Sequence, residues 1–433
     1  MVRFGAMAAI LTSGLVCVSI GINPVLAKSP ESIIRALDAD SDGQISRDEW
    51  LKSAKMFNRI DADGNGTLTL EELRAFMGGT RMPQSRTEQH QGGALRWIDV
   101  HVHPSVGRGL TLDAEGTIKA AIAAMDANHI GLMVLMPQPM VNSVNRRGDL
   151  VQPIPVEQWI DETRKYRDRF VVMGGGGSLN AMIHDESPDG RPNEELKKRF
   201  VQRAEEILNI GAVGFGEVAV SHLSMVPGQP FMDVPADHPL LLLLADIAAQ
   251  HHTVIDVHFD PVLEDIPRPD YVSGDSPATI KRNIDAFERF LEHNRRAKIS
   301  WAHVGSDRLS FWTAKFTRDI LAKHANLYMS LRMFPSKSGL NYPLTDNGIS
   351  DDWMQTFRKF PDRFFIGGDQ FFLPPGLRNK TGPGAKFARM SQNTREQVNR
   401  FLTYLPPDIA RKFAYENAVR IYKLSATGRL VRH

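Results

Sequence analysis

The stretch Trp97-Ile98-Asp99-Val100-His101-Val102-His103 decides how the rest of the chain is read. Its apolar and β-branched residues make a strand. The period of two puts the His101 and His103 imidazoles on one side, with Val102 facing the other way. Two imidazoles converging at a strand end suit a divalent metal ion. An isolated His-x-His pair is as often structural as functional, so the decision rests on the remainder of the chain.

Seven further runs of the same character come after it, with helical patterns between them: IGLMVLM (130–136), FVVMGGG (170–176), AVGFGEV (212–218), TVIDVHF (253–259), KISWAHV (298–304), NLYMSLR (326–332) and RFFIGGD (363–369). Candidate helices at Glu115–Asn128, Asn193–Leu208, His238–Gln250, Pro277–Asn294 and Asp307–His324 are long enough for crossovers. Eight strands alternating with crossovers make an α/β protein whose expected form is a (β/α)8 TIM barrel. The alternative is an open doubly wound sheet, but no glycine-rich phosphate fingerprint comes after the first run.

The polar residues cluster at one end of these runs. Glu217 ends the fourth, His258 the fifth, His303 the sixth, Arg332 the seventh and Asp369 the eighth. Barrel active sites lie at the C-terminal edges of the strands. Arg332 offers a bidentate fork to a substrate carboxylate, or an ordinary ion pair. His184 and His222 read as loop residues, and Gly174–Gly177, with no lysine after it, as a tight turn near the site.

On these residues, positions 95–425 resemble the amidohydrolase superfamily. The resemblance is to the amidohydrolase-related branch, which includes aminocarboxymuconate semialdehyde decarboxylase and several lactone and amide hydrolases. It implies that His101, His103, His258 and Asp369 hold one metal ion, and that Asp369 carries the proton of the attacking water to the leaving group. It also implies that His303 acts as acid/base or orients that water. Many binuclear members carry a carboxylated lysine after the fourth strand, where this chain has Gly214-Phe215-Gly216-Glu217. Glu217 is then either a bridging carboxylate, as in TatD-type hydrolases, or a partner that orients a histidine. One or two divalent transition-metal ions are implied, with zinc first and manganese or iron as alternatives.

Upstream, two loops carry EF-hand spacing. Asp38, Asp40, Asp42, Gln44 (through its carbonyl) and Glu49 are calcium ligands of the first, with Gly43 at the turn and Ser46 at position nine. Asp61, Asp63, Asn65, Thr67 and Glu72 repeat the set, with Gly66 at the turn and Thr69 at position nine, so two calcium ions are expected. Ile45 and Leu68 fall where paired loops join by a short β-bridge. The loops start 23 residues apart, so one helix, roughly Arg47–Ile60, must serve both. The pair is expected to pack on the barrel or on an envelope protein partner.

The chain has 433 residues, 42% hydrophobic and 24% charged, which is ordinary globular composition. Arg3, the apolar stretch Gly5–Ile22 and Val25-Leu26-Ala27 form the three-part layout of a secretory signal. The expected organisation is a signal peptide at 1–27, an EF-hand pair at 28–79, a linker at 80–94 and the barrel at 95–433, in a periplasmic or secreted protein with no membrane insertion after cleavage. The one cysteine, Cys17, lies inside the signal, so the mature chain would have no disulfide, thiolate metal site or cysteine nucleophile. The net charge is +2, or +1 without Arg3, which gives no field for nucleic acid and favours a small-molecule substrate. The leading reading is hydrolysis of an amide, ester or lactone by metal-activated water. The alternatives are a metal-dependent non-oxidative decarboxylase and a calcium-dependent scaffold with an inactive barrel.

Overall fold

Strands that are apolar on both faces must be covered on both, and in this chain they are: nearly every residue of the eight runs is buried. The computed structural model describes residues 30–38, 44–47, 49–50, 56–57, 60–61, 66–77, 95–104, 113–139, 143–144, 150–151, 157–225, 229–334, 341–373 and 383–424. The expected signal (1–27), the linker (80–94) and the calcium ligands Asp40, Asp42, Asp63 and Asn65 lie outside these residues. Among the described residues no helix is long and apolar enough to cross a membrane. The chain divides into two compact units, Met1–Gln89 and His90–His433.

In the first unit, helices Pro30–Leu37 and Leu70–Met77 accompany two short strands, Ile45–Ser46 and Thr67–Leu68, that pair antiparallel. Ile45 stands opposite Leu68, and both are buried with Trp50, Phe57, Ile60 and Leu73. Thr69 and Glu72 form a capping box: Glu72 Oε2 accepts from Thr69 N at 2.8 Å, and Glu72 N donates to Thr69 Oγ1 at 3.3 Å. Glu49 Oε2 accepts from Ser46 N at 2.7 Å in the corresponding place of the first loop. Of the expected shared helix, Arg47–Ile60, the described residues Met56, Phe57 and Ile60 are helical, whereas Arg47 and Glu49 lie in a turn and Trp50 in no regular element.

The second unit is the barrel. Its strands are β1 (Trp97–His103), β2 (Ile130–Leu135), β3 (Phe170–Val172), β4 (Gly214–His222), β5 (Val254–Phe259), β6 (Lys298–Val304), β7 (Leu327–Leu331) and β8 (Phe364–Ile366). Parallel ladders join β1 to β2, β2 to β3, β4 to β5, β5 to β6, β6 to β7 and β7 to β8. The strand Gly174–Gly175, just beyond β3, pairs with Phe215 and Gly216 of β4. The chain after β8 closes the circle, with Gln370 opposite Val102 and Phe371 opposite His103. All eight expected runs are therefore strands of one closed barrel, and the open sheet is excluded.

Two expected helices are shorter than their periodicity suggests. Pro277–Asn294 is helical only over Ile284–His293, because Thr279–Ile280 pairs with Ile266–Pro267 in a hairpin. Asp307–His324 is helical only over Ala314–Lys323. Asp307 Oδ1 accepts from Leu309 N and Ser310 N at 3.1 and 2.9 Å, which holds a turn, and Thr313 takes the N-cap by accepting from Phe316 N at 3.0 Å.

Between the barrel and its helices, Trp301 of β6 is fully buried, stacks on Trp312 with ring centroids 4.4 Å apart and lies 4.7 Å from Phe287. Its indole N–H donates to Phe259 O at 2.8 Å. Trp301→Ala is expected to cost about 3–5 kcal/mol, read as a lowered urea midpoint at unchanged slope. An unchanged midpoint would mean that this cluster does not hold β5 and β6 to the helices.

Candidate metal centre

Parallel strands deliver their C-terminal residues to one rim, and six of the candidates meet there. His101 and His103 alternate inward at the end of β1, with their Nε2 atoms 3.2 Å apart. Each is oriented by its other nitrogen. His103 Nδ1 lies 3.0 Å from Met136 O and donates its proton there, so Nε2 is the nitrogen that faces the centre. His101 Nδ1 lies 3.0 Å from Asp256 Oδ1, a carboxylate–histidine arrangement typical of metal ligands.

Glu217 of β4 lies at the middle of the cluster and divides it. Its Oε2 lies 3.2 Å from His103 Nε2 and 3.6 Å from His101 Nε2. Its Oε1 lies 2.6 Å from His258 Nδ1 and 3.0 Å from His303 Nε2. Asp369 approaches from beyond β8, with Oδ1 3.4 Å from His103 Nε2 and Oδ2 3.0 Å from Arg332 Nη2.

Three trios have ligand atoms within 4.8 Å of one another: His101–His103–Glu217, Glu217–His258–His303 and His101–His303–Asp369. His258 thus stands with Glu217 and His303, whereas the resemblance implied a shared ion with His101, His103 and Asp369. His303 stands in two trios, which is ligand geometry where an acid/base was one expectation.

The backbone here is unusual in ways the sequence explains. His303 and Asp369 have φ of 70° and 48°, left-handed values that cost non-glycine residues roughly 1–3 kcal/mol each and concentrate at functional sites. The Gly367-Gly368 pair lets the chain pass close behind the ligands, where a Cβ on Gly368 would stand 2.6 Å from Asp99 Oδ2. Of the turn expected at Gly174–Gly177, Gly174 and Gly175 are strand and the chain turns from Gly176, which approaches the site closely, since a Cβ there would lie 2.6 Å from Glu217 O.

The charges respond to this crowding. Burial alone would drive protons off His101, but Asp256 and Glu217 reverse that and lift its pKa well above the ordinary value. Burial likewise opposes a charge on His103, and the hydrogen bonds it donates to Asp369 and Glu217 raise its pKa to about 9. Burial raises the carboxylates too, yet Glu217 is brought well below its usual range by His101 and the neighbouring imidazoles, and Asp369 by Arg332 and His303. His303 goes the other way, lowered to about 3 by burial, so its imidazole is neutral at neutral pH.

This donor set fits metal ions. Anionic carboxylates lie among imidazole nitrogens 3.1 to 3.2 Å apart in pairs, closer than protons alone can satisfy at every atom. Nitrogen and oxygen donors without sulfur suit zinc, manganese or iron. His101, His103, Asp369 and Glu217 would hold one ion, and His258, His303 and Glu217 a second.

Sequence reasoning passed over several residues that shape the site. Asp99 accepts from His101 N at 3.1 Å and Gly368 N at 2.8 Å and also from Gln370 Nε2, and burial raises its pKa to about 6. Asp256 accepts from Ser300 Oγ at 2.9 Å as well as facing His101. Asp260 Oδ2 lies 3.6 Å from His258 Nε2. Asp99 and Asp256 stand two residues before a ligand histidine on the same strand face, so the alternation that found the histidines extends to them, and Asp260 stands two residues after His258, just past the end of β5. His222, read as a loop residue, ends β4 with its ring 4.2 Å from that of His258. His184 Nε2 lies 2.8 Å from Ala219 O, a structural contact.

The EF hand family model matches residues 31–52 and 54–77. Nothing among curated proteins matches the chain. Similar solved structures include an uncharacterized TIM-barrel protein of Bordetella bronchiseptica, 16% identical over 78% of this chain and 100% of that one (TM-score 0.44). 2,6-Dihydroxybenzoate decarboxylase from Rhizobium is 15% identical over 76% and 99% (TM-score 0.40), and a putative amidohydrolase from Staphylococcus aureus is 12% identical over 76% and 100% (TM-score 0.39). The barrel rests on its own strand pairing, not on these likenesses. Fold and site together define a (β/α)8 protein with a buried histidine–carboxylate cluster at its C-terminal rim.

Proposed function

We propose that the barrel is a dinuclear metal-dependent hydrolase of the amidohydrolase type, cleaving an amide, ester or lactone bond of a small molecule with water. The observation that carries this is the division of four imidazoles into two pairs by the two oxygens of Glu217. Bound there, divalent ions would supply Lewis acidity to the scissile carbonyl and lower the pKa of water toward ~7.

The chain's own residues do the rest. Arg332 fixes Asp369 Oδ2 at 3.0 Å and helps keep the carboxylate ionised, and Oδ1, 3.4 Å from His103 Nε2, is the oxygen turned to the centre to accept a proton. As water adds to the carbonyl carbon, Asp369 takes its proton. As the C–N or C–O bond breaks, Asp369 returns that proton to the leaving nitrogen or oxygen. His303, neutral in its buried setting, carries no imidazolium proton to donate as an acid. In the N-terminal unit, the reading is two calcium ions. Asp61 Oδ1 is buried with no hydrogen-bond partner among the described residues, and Gly66 turns the loop at φ +85°.

Metal analysis tests both halves at once. About two transition-metal ions and about two calcium ions per chain are expected, and a His101→Ala/His103→Ala variant should lose at least one transition-metal ion and no calcium. Absence of bound transition metal after reconstitution with zinc, manganese or iron would sink the hydrolase reading. With metal bound, carbon dioxide release from carboxylic acids, and no hydrolysis across a panel of lactones, esters and amides, would replace it with decarboxylation.

A further inference from the structure

His222 stands against the metal centre without sharing in it. Among the described residues none of the three ligand trios includes it, yet its ring centroid lies 4.2 Å from that of His258. β4 carries Glu217 inward and then runs on: the ladder with β5 ends at Phe259 opposite Ser221, and Ser221 and His222 pair instead with Asp233 and Met232 of the returning strand Met232–Asp233. Because β4 runs toward the mouth of the barrel, His222 stands nearer the mouth than Glu217 does. It is buried all the same, at 8% exposure.

A neighbouring amide fixes where the His222 proton sits. Gln229 Oε1 accepts from Met225 N at 2.8 Å, which leaves the Gln229 NH2 group facing His222 Nε2 at 3.4 Å. Turning the amide over would set its NH2 against the Met225 N–H, donor against donor. His222 Nε2 is therefore an acceptor, the ring is neutral, and its proton is on Nδ1. Neither nitrogen then has a lone pair left for a metal ion. Nδ1 is buried with no hydrogen-bond partner among the described residues. The carboxylate of Asp260, next to His258, is already engaged: Oδ2 accepts from Leu223 N at 2.9 Å and faces His258 Nε2 at 3.6 Å, and Oδ1 faces Arg308 Nε at 3.7 Å. A buried donor without an acceptor destabilises the empty site and favours whatever brings an oxygen to it.

We propose that His222 is a catalytic residue of the barrel, whose Nδ1–H donates a hydrogen bond to the carbonyl oxygen of the substrate and to the oxyanion that this oxygen becomes. This rests on the hydrolase reading and adds to it a group from outside the ligand set. As water adds to the carbonyl carbon, the C=O π pair moves onto oxygen and the hydrogen bond from Nδ1 strengthens. The imidazole proton stays on Nδ1 throughout, since Asp369 carries the one that water gives up. Gln229 is then a positioning residue, which acts by holding the tautomer.

The test uses the zinc-loaded full chain and methylphosphonate, which has the tetrahedral shape and negative charge of the oxyanion adduct. Binding is read by calorimetry, with metal content measured on the same samples. His222→Asn keeps an amide N–H near the place of Nδ1, whereas His222→Leu keeps bulk without a donor. At equal metal content, His222→Asn is expected to bind within about threefold of the parent and His222→Leu at least about tenfold more weakly. In NMR spectra with isotope-labelled histidine nitrogens, the His222 ring, assigned by its loss in His222→Asn, should carry its proton on Nδ1. Equal binding by the parent and His222→Leu would overturn the proposal, and so would equal weakening in both variants, which is what lost packing alone gives. Loss of a transition-metal ion from His222→Leu would make His222 a ligand instead, and a proton on Nε2 would remove the donor; either result overturns it, as does a metal-loaded parent that binds no methylphosphonate. If the parent holds no transition metal, the hydrolase reading fails separately, and the position of the ring proton in the metal-free chain still judges the donor.

Discussion

Glu217→Gln is expected to bring transition-metal content from about two ions per chain to one or fewer, with hydrolysis reduced by more than about a hundredfold. Glutamine keeps the shape of the side chain and removes the one charge that both imidazole pairs share. In the native chain Oε1 meets His258 and His303, and Oε2 meets His101 and His103. An amide in that place turns one of its two ends into a donor, so at least one pair faces N–H where it had a carboxylate oxygen. Removing one partner of a buried charged contact costs roughly 3–5 kcal/mol, enough for the hundredfold loss in ion affinity on which the activity depends. Metal analysis with rate measurement on the same preparation decides it. A variant that keeps two ions and the parent's rate would show that Glu217 orients histidines without bridging.

The sequence made the barrel legible because strands buried on both faces must read as near-continuous apolar runs, and the polar exceptions to those runs are the site. His101, His103, His258 and His303 stand out for that reason. Which imidazoles share an ion was not legible, because it depends on the position of each strand around the barrel. Glu217 on β4 meets the histidines of β5 and β6 with one oxygen and those of β1 with the other, and strand order alone does not say that the barrel interior is narrow enough for this. The true start of the helix after β6 was hidden for a different reason. Helical periodicity ran back to Asp307, whereas the Asp307 side chain satisfies two backbone N–H groups locally and delays the helix to Ala314. A local side-chain turn overrode a weak pattern. In the N-terminal unit, the pairing of Ile45 with Leu68 followed from loop position alone, since EF-hand spacing fixes where the bridge must form.

Asp369→Asn separates holding the ions from moving the proton. Asparagine can keep its carbonyl oxygen on Arg332 Nη2, where Asp369 Oδ2 accepts at 3.0 Å, and this turns its NH2 toward His103 Nε2, 3.4 Å from Oδ1 in the native chain. The side chain stays in place, but the oxygen that would accept water's proton is gone. The kcat/KM is expected to fall by about 10²–10⁴, the usual range for a general acid–base group, while the ion held by Glu217, His258 and His303 is retained. Arg332 makes the substitution informative, since it anchors either side chain in the same orientation and keeps a loss of rate from being a loss of position. Because Asp369 lies well below the usual carboxylate range, the parent's rate should not decline on its account as pH falls from 7 to 5. An asparagine variant within about threefold of the parent, with its metal content intact, would move the proton-carrying role to another group. The same rate with one ion lost would instead show that Asp369 serves the site only as a ligand.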